Sequence, residues 1–253
     1  RSLVGSEMCI RDRSPYSAIW TTATTHSISV DSIQFVGGDT SVRYVFEGWS
    51  DGGERTHNVT PLSDTTFTAH FRVEYELVIS NPDGHDTPDP SEGSHYYPDG
   101  TGLTCSIADT VYEGDGYRYI CTGWTDGYGS VPTATGTDTS VSFTITEPSG
   151  LTWNWREELR FTVVNPGGRD TPVPAAGDHW YAPGSSISGY ITEPHTDGYI
   201  CVGWTGTGSL GDGFGTEFSF IITEPSSITW NWLPEGTEVV TLTVYSDYGT
   251  PAP

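Results

Sequence analysis

Few residues of this protein have side chains suited to catalysis or metal binding, and these residues lie far apart in the sequence. Its four cysteines lack the paired CxxC spacing of a structural zinc site. The sequence contains no GxSxG, HExxH, phosphate-binding loop or dinucleotide-binding fingerprint, which are the short motifs of common catalytic and nucleotide sites. We therefore predict that the chain is not an enzyme, with no catalytic residue and no cofactor.

Cys105 and Cys121 are the candidates for a disulfide. They are expected on successive strands of one repeat, where a cross-strand disulfide would close a loop of about 15 residues. By reducing the conformational entropy of the unfolded chain, such a disulfide would stabilise the fold by about 3 kcal/mol. Cys201 lacks such a partner, because Gly189 stands where a later repeat would need the second cysteine. An oxidising compartment favours the disulfide, and two unlinked core cysteines are the alternative.

The tryptophans permit two interpretations. Trp153 and Trp155 stand at i and i+2, which places them on one face of a strand, and Trp230 and Trp232 repeat this arrangement. Sugars stack on exposed aromatic faces, so these four residues are possible glycan contacts. Packing in a small core is the alternative, since large aromatic side chains dominate such cores. The aromatic residues predicted for the repeat cores are Trp49, Trp124, Trp204, Trp153, Trp155, Trp230 and Trp232.

A calcium loop is the one metal site that the sequence suggests. Asp83, Asp86 and Asp89 occur in NPDGHDTPDP, but in the next repeat only Asp86 keeps a carboxylate counterpart, Asp170. The segment also lacks the glutamate and the spacing of an EF-hand. Histidines recur in SHYYPDG and DHWYAPG without a second ligand at a shared spacing, which favours a turn or packing role. We predict no metal site, with Ca²⁺ at this loop as the alternative.

The charge of the chain narrows the range of its partners. Acidic residues number 33 against 10 basic ones, which gives a formal net charge of -23. Nucleic acids and anionic membrane surfaces are bound through basic side chains, so neither partner is expected. No apolar run approaches the roughly 20 residues that cross a bilayer. The acidic surface suits an extracellular or cell-surface protein.

Three copies of one pattern organise the chain. The segments VRYVFEGWSDGG, YRYICTGWTDGYGS and GYICVGWTGTGS recur at intervals of roughly 80 residues. The joint WNWREELRF has no Gly or Pro and predicts a stiff connection, whereas WNWLPEGTEVV carries Pro234 and Gly236 and predicts bending. The predicted divisions are a non-native segment 1–13, a truncated repeat 1 at 14–73, repeat 2 at 74–157, repeat 3 at 158–236, and the first strand of a further repeat at 237–253.

The hydrophobic pattern within each repeat has the period of a β-strand. Val141, Phe143 and Ile145 alternate with hydroxylated residues, so one face of this strand should be buried. Asn-Pro, Asp-Gly and Gly-Gly pairs separate such segments and predict turns. A repeat of this length is large enough to close its own core. We therefore expect an all-β chain of tandem modules in an elongated array, with five to seven short strands in each module.

The segment YVFEGWSDGG followed by TTFTAHF resembles divergent relatives of the internalin B-repeat, a module of bacterial surface proteins. The CTGWTDG and TWNW copies resemble an elaborated form from very long repeat proteins of environmental bacteria. The resemblance covers nearly all of residues 14–253 and implies a β-grasp-like or small sandwich module with an adhesive or spacer role. The first 13 residues resemble the translated sequencing adapter that contaminates metagenomic assemblies.

Three functions follow from these observations. The first is a spacer or adhesin stalk of a large secreted or cell-surface bacterial protein, whose repeats contact one another and surface glycans or proteins. The second is a set of carbohydrate-binding modules that use the tryptophan pairs. The third is an assembly unit in which the strand 239–245 pairs with the open edge of repeat 1 in another chain.

Overall fold

The computed structural model describes residues 7–9, 17–238 and 240, with the backbone alone at 7–9. In this part of the chain the structure is nearly all β, and the one helical element is a 3₁₀ turn at Pro166–Gly168. No described helix is long and apolar enough to cross a lipid bilayer. The chain divides into two compact units, residues 1–109 with 121–155, and residues 110–120 with 156–253.

The strands fall into groups by the predicted repeat in which they begin. Strand β1 (Glu7–Cys9) lies in the segment 1–13. The strands that begin in repeat 1 are β2 (His26–Ser29), β3 (Ile33–Phe35), β4 (Val42–Trp49), β5 (Thr56–Val59) and β6 (Ala69–Ser80). Repeat 2 continues with β7 (Gly93–Pro98), β8 (Thr101–Ser106), β9 (Thr110–Glu113), β10 (Tyr117–Tyr128), β11 (Ser140–Ile145) and β12 (Ser149–Val164). Repeat 3 adds β13 (Gly177–Tyr181), β14 (Ser186–Tyr190), β15 (His195–Thr196), β16 (Tyr199–Thr207), β17 (Gly213–Phe214), β18 (Glu217–Ile221) and β19 (Ser226–Pro234).

Repeat 2 places its first and last strands side by side in one sheet. The end of β6, Leu77–Ser80, runs parallel to the start of β12, Ser149–Thr152. On its other side β6 pairs antiparallel with β7, while β12 pairs with β10. Strands β8 and β11 form a separate antiparallel sheet. The two ends of the repeat are therefore hydrogen-bonded neighbours.

Repeat 3 has the same topology. Residues Phe161–Val164 of β12 run parallel to Ser226–Thr229 of β19, β13 pairs antiparallel with β12, and β16 pairs antiparallel with β19. Strands β14 and β18 form the second sheet. Because equivalent strands make equivalent pairs, the two repeats can be compared position by position.

Repeat 1 shows part of this arrangement. Strand β4 pairs antiparallel with β3 on one side and with β6 on the other. The second sheet consists of β2 and β5, with β1 parallel to β2. Strand β1 falls within the segment predicted to be non-native, and its backbone follows β2 from Ser27 to Ser29.

Each repeat has its own hydrophobic cluster. The buried members of each cluster come from a single repeat. They are Ile28, Val30, Trp49 and Val59 in repeat 1; Leu77, Ile79, Cys105, Ile107, Cys121, Trp124, Val131, Val141, Ile145, Leu151 and Trp153 in repeat 2; and Leu159, Phe161, Val163, Ile187, Ile191, Cys201, Trp204, Leu210, Phe218, Ile222, Ile228 and Trp230 in repeat 3. Burial of these side chains is the main favourable contribution to folding.

The second sheet of each repeat has the alternation that its sequence predicts. On β11 the side chains of Val141 and Ile145 are buried, while those of Ser142 and Thr144 are exposed. In repeat 3 the cross-strand pair Cys105 and Val141 is replaced by Gly189 and Phe218. A Cβ at Gly189 would lie 2.5 Å from the Phe218 ring, so the larger ring occupies the volume that the missing side chain leaves.

A glycine-to-alanine pair tests the packing of the repeat 3 core. A Cβ at Gly213 would lie 2.1 Å from Cζ2 of Trp204, whereas a Cβ at Gly211 meets no atom within 4 Å. Because the indole is held in the core, Gly213→Ala should lower the free energy of unfolding by about 1–3 kcal/mol. Gly211→Ala, the control, should change it by less than about 0.5 kcal/mol. Denaturant unfolding measures both, and equal stabilities would contradict this packing.

Candidate functional site

A buried carboxylate marks the boundary between repeats 1 and 2. Glu74 on β6 is 3% exposed, and each of its carboxylate oxygens accepts hydrogen bonds from one guanidinium group. Arg43 on β4 lies directly across from Glu74 and donates to Oε2 from Nε and Nη2, both at 2.7 Å. Arg72 donates to Oε1 from Nε and Nη2, both at 2.8 Å. Both oxygens of the buried anion are thus paired with cations.

The boundary between repeats 2 and 3 has the same three residue types at equivalent positions. Glu158 on β12 is 8% exposed. Arg118 on β10 donates to its Oε2 from Nε at 2.7 Å and from Nη2 at 2.5 Å, and Nη2 of Arg156 lies 2.9 Å from Oε1. We call each Arg-Glu-Arg group a boundary clamp. The first residue of each new repeat is therefore held by two arginines of the preceding one.

An aromatic ring covers one arginine of each clamp. The guanidinium of Arg43 lies 4.1 Å from the ring centroid of Tyr96, and that of Arg118 lies 4.5 Å from the ring centroid of Trp180. Tyr96 lies on β7 and Trp180 on β13, which are equivalent strands of repeats 2 and 3. Cation–π contacts of this kind contribute roughly 0.5–2 kcal/mol. The clamp arginines thus contact two repeats at once.

Backbone bonds fix the hairpins that carry these arginines. The Glu76 N–H donates to the Ser41 carbonyl at 2.8 Å, and the Arg160 N–H donates to the Gly116 carbonyl at 2.9 Å. Ser41 lies in the β3–β4 connection, and Gly116 in the β9–β10 connection. The second of these bonds joins residues 110–120 to repeat 3, and the two segments belong to the same compact unit.

Side chains add a second set of contacts at both hairpins. Tyr96 Oη donates to the Thr40 carbonyl at 2.5 Å. In the equivalent hairpin of repeat 2, Tyr112 meets Trp180 edge to face with centroids 5.7 Å apart, and Arg160 donates to Asp115. Each hairpin of one repeat therefore contacts the first strands of the next repeat.

The end of repeat 3 lacks a boundary clamp. Gly198 stands at the position of Arg118, and Leu233 at the position of Arg156. Glu235, the counterpart of Glu158, is exposed and pairs with the exposed His195 at 3.1 Å. The substitution of both arginines thus removes the cations that would neutralise a buried glutamate here.

The arginines also determine the charge state of Glu74. Burial raises the pKa of this carboxyl, but the hydrogen bonds and positive charges of Arg43 and Arg72 outweigh burial and leave the pKa below its ordinary value of 4.5. Glu74 is therefore ionised at neutral pH. Two arginines around one carboxylate give the clamp a net positive charge on a strongly acidic chain.

Two of the four candidate sugar-binding tryptophans are inaccessible. The side chains of Trp153 and Trp230 are 0% and 1% exposed, and each indole meets a second core tryptophan, Trp124 or Trp204, edge to face. The glycan contact considered for Trp153 and Trp230 is therefore wrong for this structure, because neither ring offers a face to a ligand.

The other two tryptophans hold turns. Trp155 and Trp232 are half-buried, and their Nε1 atoms donate to Oδ1 of Asn81 at 2.9 Å and of Asn165 at 2.8 Å. Each asparagine opens the Asn-Pro turn after a long strand, and Asn81 Nδ2 donates in turn to the Asp86 carbonyl at 2.7 Å. Sequence reasoning missed this role of the asparagines, although their recurrence in NPDG and NPGG was a usable signal.

The predicted disulfide between Cys105 and Cys121 is not formed. Both residues carry free thiols, as does Cys201. Cys105 lies on β8, which pairs with β11, whereas Cys121 lies on β10, which pairs with β12. The two cysteines therefore belong to different sheets of one core and are not cross-strand neighbours. Burial raises the pKa of the Cys105 thiol to about 11, so this thiol is protonated and unreactive at neutral pH.

The candidate calcium loop has a different role. Oδ2 of Asp86 accepts the Ala108 N–H at 2.8 Å, and Oδ2 of the equivalent Asp170 accepts the N–H groups of Thr192 and Glu193 at 2.7 and 2.8 Å. In the part of the chain that the structure describes, no group of three His, Cys, Asp or Glu side chains could hold a metal ion. The recurring aspartate instead fastens its loop to the backbone that follows β8 in repeat 2 and β14 in repeat 3.

No family model, curated protein or solved structure matches this chain. The resemblance of its motifs to the internalin B-repeat therefore stays a prediction from the sequence. The structure does show similarity between repeats of the same chain. Two boundary clamps, two tryptophan–asparagine bonds and two aspartate-fastened loops lie at equivalent positions. This repetition makes the repeat boundary the best-defined candidate functional site.

The pH dependence of stability tests the first clamp. Because the pKa of Glu74 is lower in the folded chain than in the unfolded chain, its ionised form stabilises the fold above about pH 4.5, and this contribution is lost as the pH falls through the folded value. Glu74→Gln should lower the free energy of unfolding at neutral pH by about 1–3 kcal/mol. It should also make the further decrease of this free energy at acidic pH smaller than in the wild type. Denaturant unfolding at neutral and acidic pH measures both effects.

The matched control is Glu47→Gln, at an exposed glutamate of the same β4 strand that carries Arg43. This variant should keep the stability and the acid sensitivity of the wild type. A Glu74→Gln profile that runs parallel to the wild-type profile would contradict the clamp.

Proposed function

We propose that this chain is a segment of tandem β modules that acts as a load-bearing spacer or adhesin stalk of a large secreted or cell-surface bacterial protein. The recurrence of the boundary clamp is the observation that carries the proposal. A device that joins successive repeats has a use in an array, whereas an enzyme needs one constellation of catalytic groups. The neighbouring repeats of the same chain are thus its first partners.

The position of the terminal strands supports a mechanical role. In repeats 2 and 3 the first and last strands are parallel neighbours. Force applied to the two chain ends of such a repeat pulls these strands in opposite directions along their length. All of the hydrogen bonds between them are then loaded together, because the strands must slide past each other. Antiparallel strands pulled from adjacent ends separate one bond at a time.

The continuity of two strands supports the same role. Strand β6 passes through the boundary at Glu74, and β12 passes through the boundary at Glu158. Each strand closes one repeat and opens the next without an intervening linker. A strand shared by successive repeats suits a tandem array. The central parallel pair, flanked by antiparallel strands, also favours the β-grasp-like form of the module.

The chemistry of the surface is consistent with an extracellular place. The net charge of -23 disfavours binding to nucleic acids and to anionic lipid surfaces. The assembly alternative rests on the strand predicted at 239–245. That strand lies outside the described residues apart from Val240, which is 94% exposed.

Single-molecule stretching tests the load-bearing role. Pulled by its two ends, the chain should unfold in separate steps that each release about 80 residues, or about 25 nm of extended chain. The same protein tethered through cysteines placed at Ser186 and Ile221, an exposed cross-strand pair of β14 and β18, should unfold at a lower force. The thiols of Cys105, Cys121 and Cys201 are buried and should not compete for the tether, and Cys9 is replaced by serine in both proteins.

Two results would refute the proposal. One is a single event that releases the whole chain, which would show a merged unit in place of separate modules. The other is an unfolding force that is the same for both tethering geometries, which would remove the shear argument.

A further inference from the structure

One face of repeat 3 carries a row of exposed side chains across three neighbouring segments. Val173 exchanges two backbone hydrogen bonds with Tyr190 on β14, at 2.9 and 2.8 Å, and Tyr190 lies directly across from Glu217 on β18. The side chains of Val173 and Tyr190 are 41% and 46% exposed, and Glu217 is also exposed. A valine, a tyrosine and a carboxylate thus stand side by side on one surface.

Repeat 2 provides an internal comparison, because its equivalent row has the same backbone pairing. Asp89 exchanges two backbone hydrogen bonds with Ser106, at 2.9 and 2.8 Å, and Ser106 pairs with Ser140. An aspartate and two serines therefore occupy the positions that hold valine, tyrosine and glutamate in repeat 3. The fold does not require an aromatic residue here, so the row is a feature of repeat 3 and not of the shared fold.

The side chains of the neighbouring row are small and leave a depression beside Tyr190. Ser188 and Ser219 form the next exposed cross-strand pair, and beyond them Ile221 is 59% exposed. The open groove here has a volume of about 470 Å³ and is lined by Ser188, Gly189, Tyr190, Glu217, Phe218 and Ser219. In repeat 2 the position of Ile221 is taken by Thr144, which lies opposite Gly102. The groove is therefore bounded by larger side chains in repeat 3 than in repeat 2.

We propose that this groove binds a neutral polysaccharide chain. The exposed Tyr190 ring offers an apolar face on which the C–H groups of a sugar ring can stack. The Glu217 carboxylate accepts hydrogen bonds from sugar hydroxyls, and the hydroxyls of Ser188 and Ser219 both donate and accept them. The groove thus offers both kinds of contact that a sugar ring makes, stacking on an aromatic face and hydrogen bonds to hydroxyls.

The charge of the chain selects among saccharides. Glu217 in the groove and the net charge of -23 repel uronates and sulfated sugars, so the ligand is a neutral one. This site is separate from the buried tryptophans of the same repeat, and it does not depend on the load-bearing role. A stalk with one sugar-binding repeat would attach along its length as well as at its tip.

Isothermal titration calorimetry on the full chain tests the proposal with three probes, the β-linked hexaoses of glucose, xylose and mannose. At least one of them should bind, and the double variant Tyr190→Ser with Glu217→Ser should raise its Kd about tenfold or more. Each single variant should cause part of this loss. The substitutions place at both positions the serines that repeat 2 already carries, so the fold should be kept, and thermal unfolding verifies this.

Tyr128→Ser is the matched control, because Tyr128 is 49% exposed and lies in repeat 2 outside the groove. It should leave the Kd unchanged. The proposal is overturned if none of the three hexaoses binds, if the double variant binds as tightly as the wild type, or if Tyr128→Ser causes an equal loss. Hexa-arginine that binds in the groove where the hexaoses do not would also overturn it, since the site would then serve basic protein segments.

Discussion

A carboxylate buried at a repeat boundary has to be neutralised where it stands, and this requirement explains much of the structure. Removing an ion from water costs several kcal/mol, and one attractive partner seldom offsets that cost without further hydrogen bonds. Glu74 and Glu158 each meet two guanidinium groups, one from the facing strand and one from two residues earlier on the same strand. Such a group fixes register, because a shift of one residue would bury an unpaired charge.

The other recurring features are consistent with the clamp. The covering ring, Tyr96 or Trp180, lies on the first new strand of the following repeat, so a side chain of that repeat packs on the clamp arginine. The end of repeat 3 shows the converse. Where Gly198 and Leu233 replace the arginines, Glu235 is exposed and pairs with His195.

Much of the fold could be predicted from the sequence, because strand period and repetition are local signals. The alternation around Val141 predicted the buried face of β11, and the Gly-Trp motifs pointed to the core positions of Trp124 and Trp204. The clamp could not be predicted, since Arg43 and Glu74 are brought together only by the β4–β6 register. The disulfide prediction failed for the same reason: proximity along the chain placed Cys105 and Cys121 on successive strands, whereas the fold assigns them to different sheets.

The most direct test of the central claim is a double-mutant cycle on Arg118 and Glu158, measured by denaturant unfolding of the wild type, Arg118→Met, Glu158→Gln and the double variant. The account predicts a favourable coupling energy above about 1 kcal/mol, as expected for buried, hydrogen-bonded charges. A coupling energy of about 0–0.5 kcal/mol, typical of solvent-exposed ion pairs, would contradict it, because the boundary would then be held by backbone pairing alone.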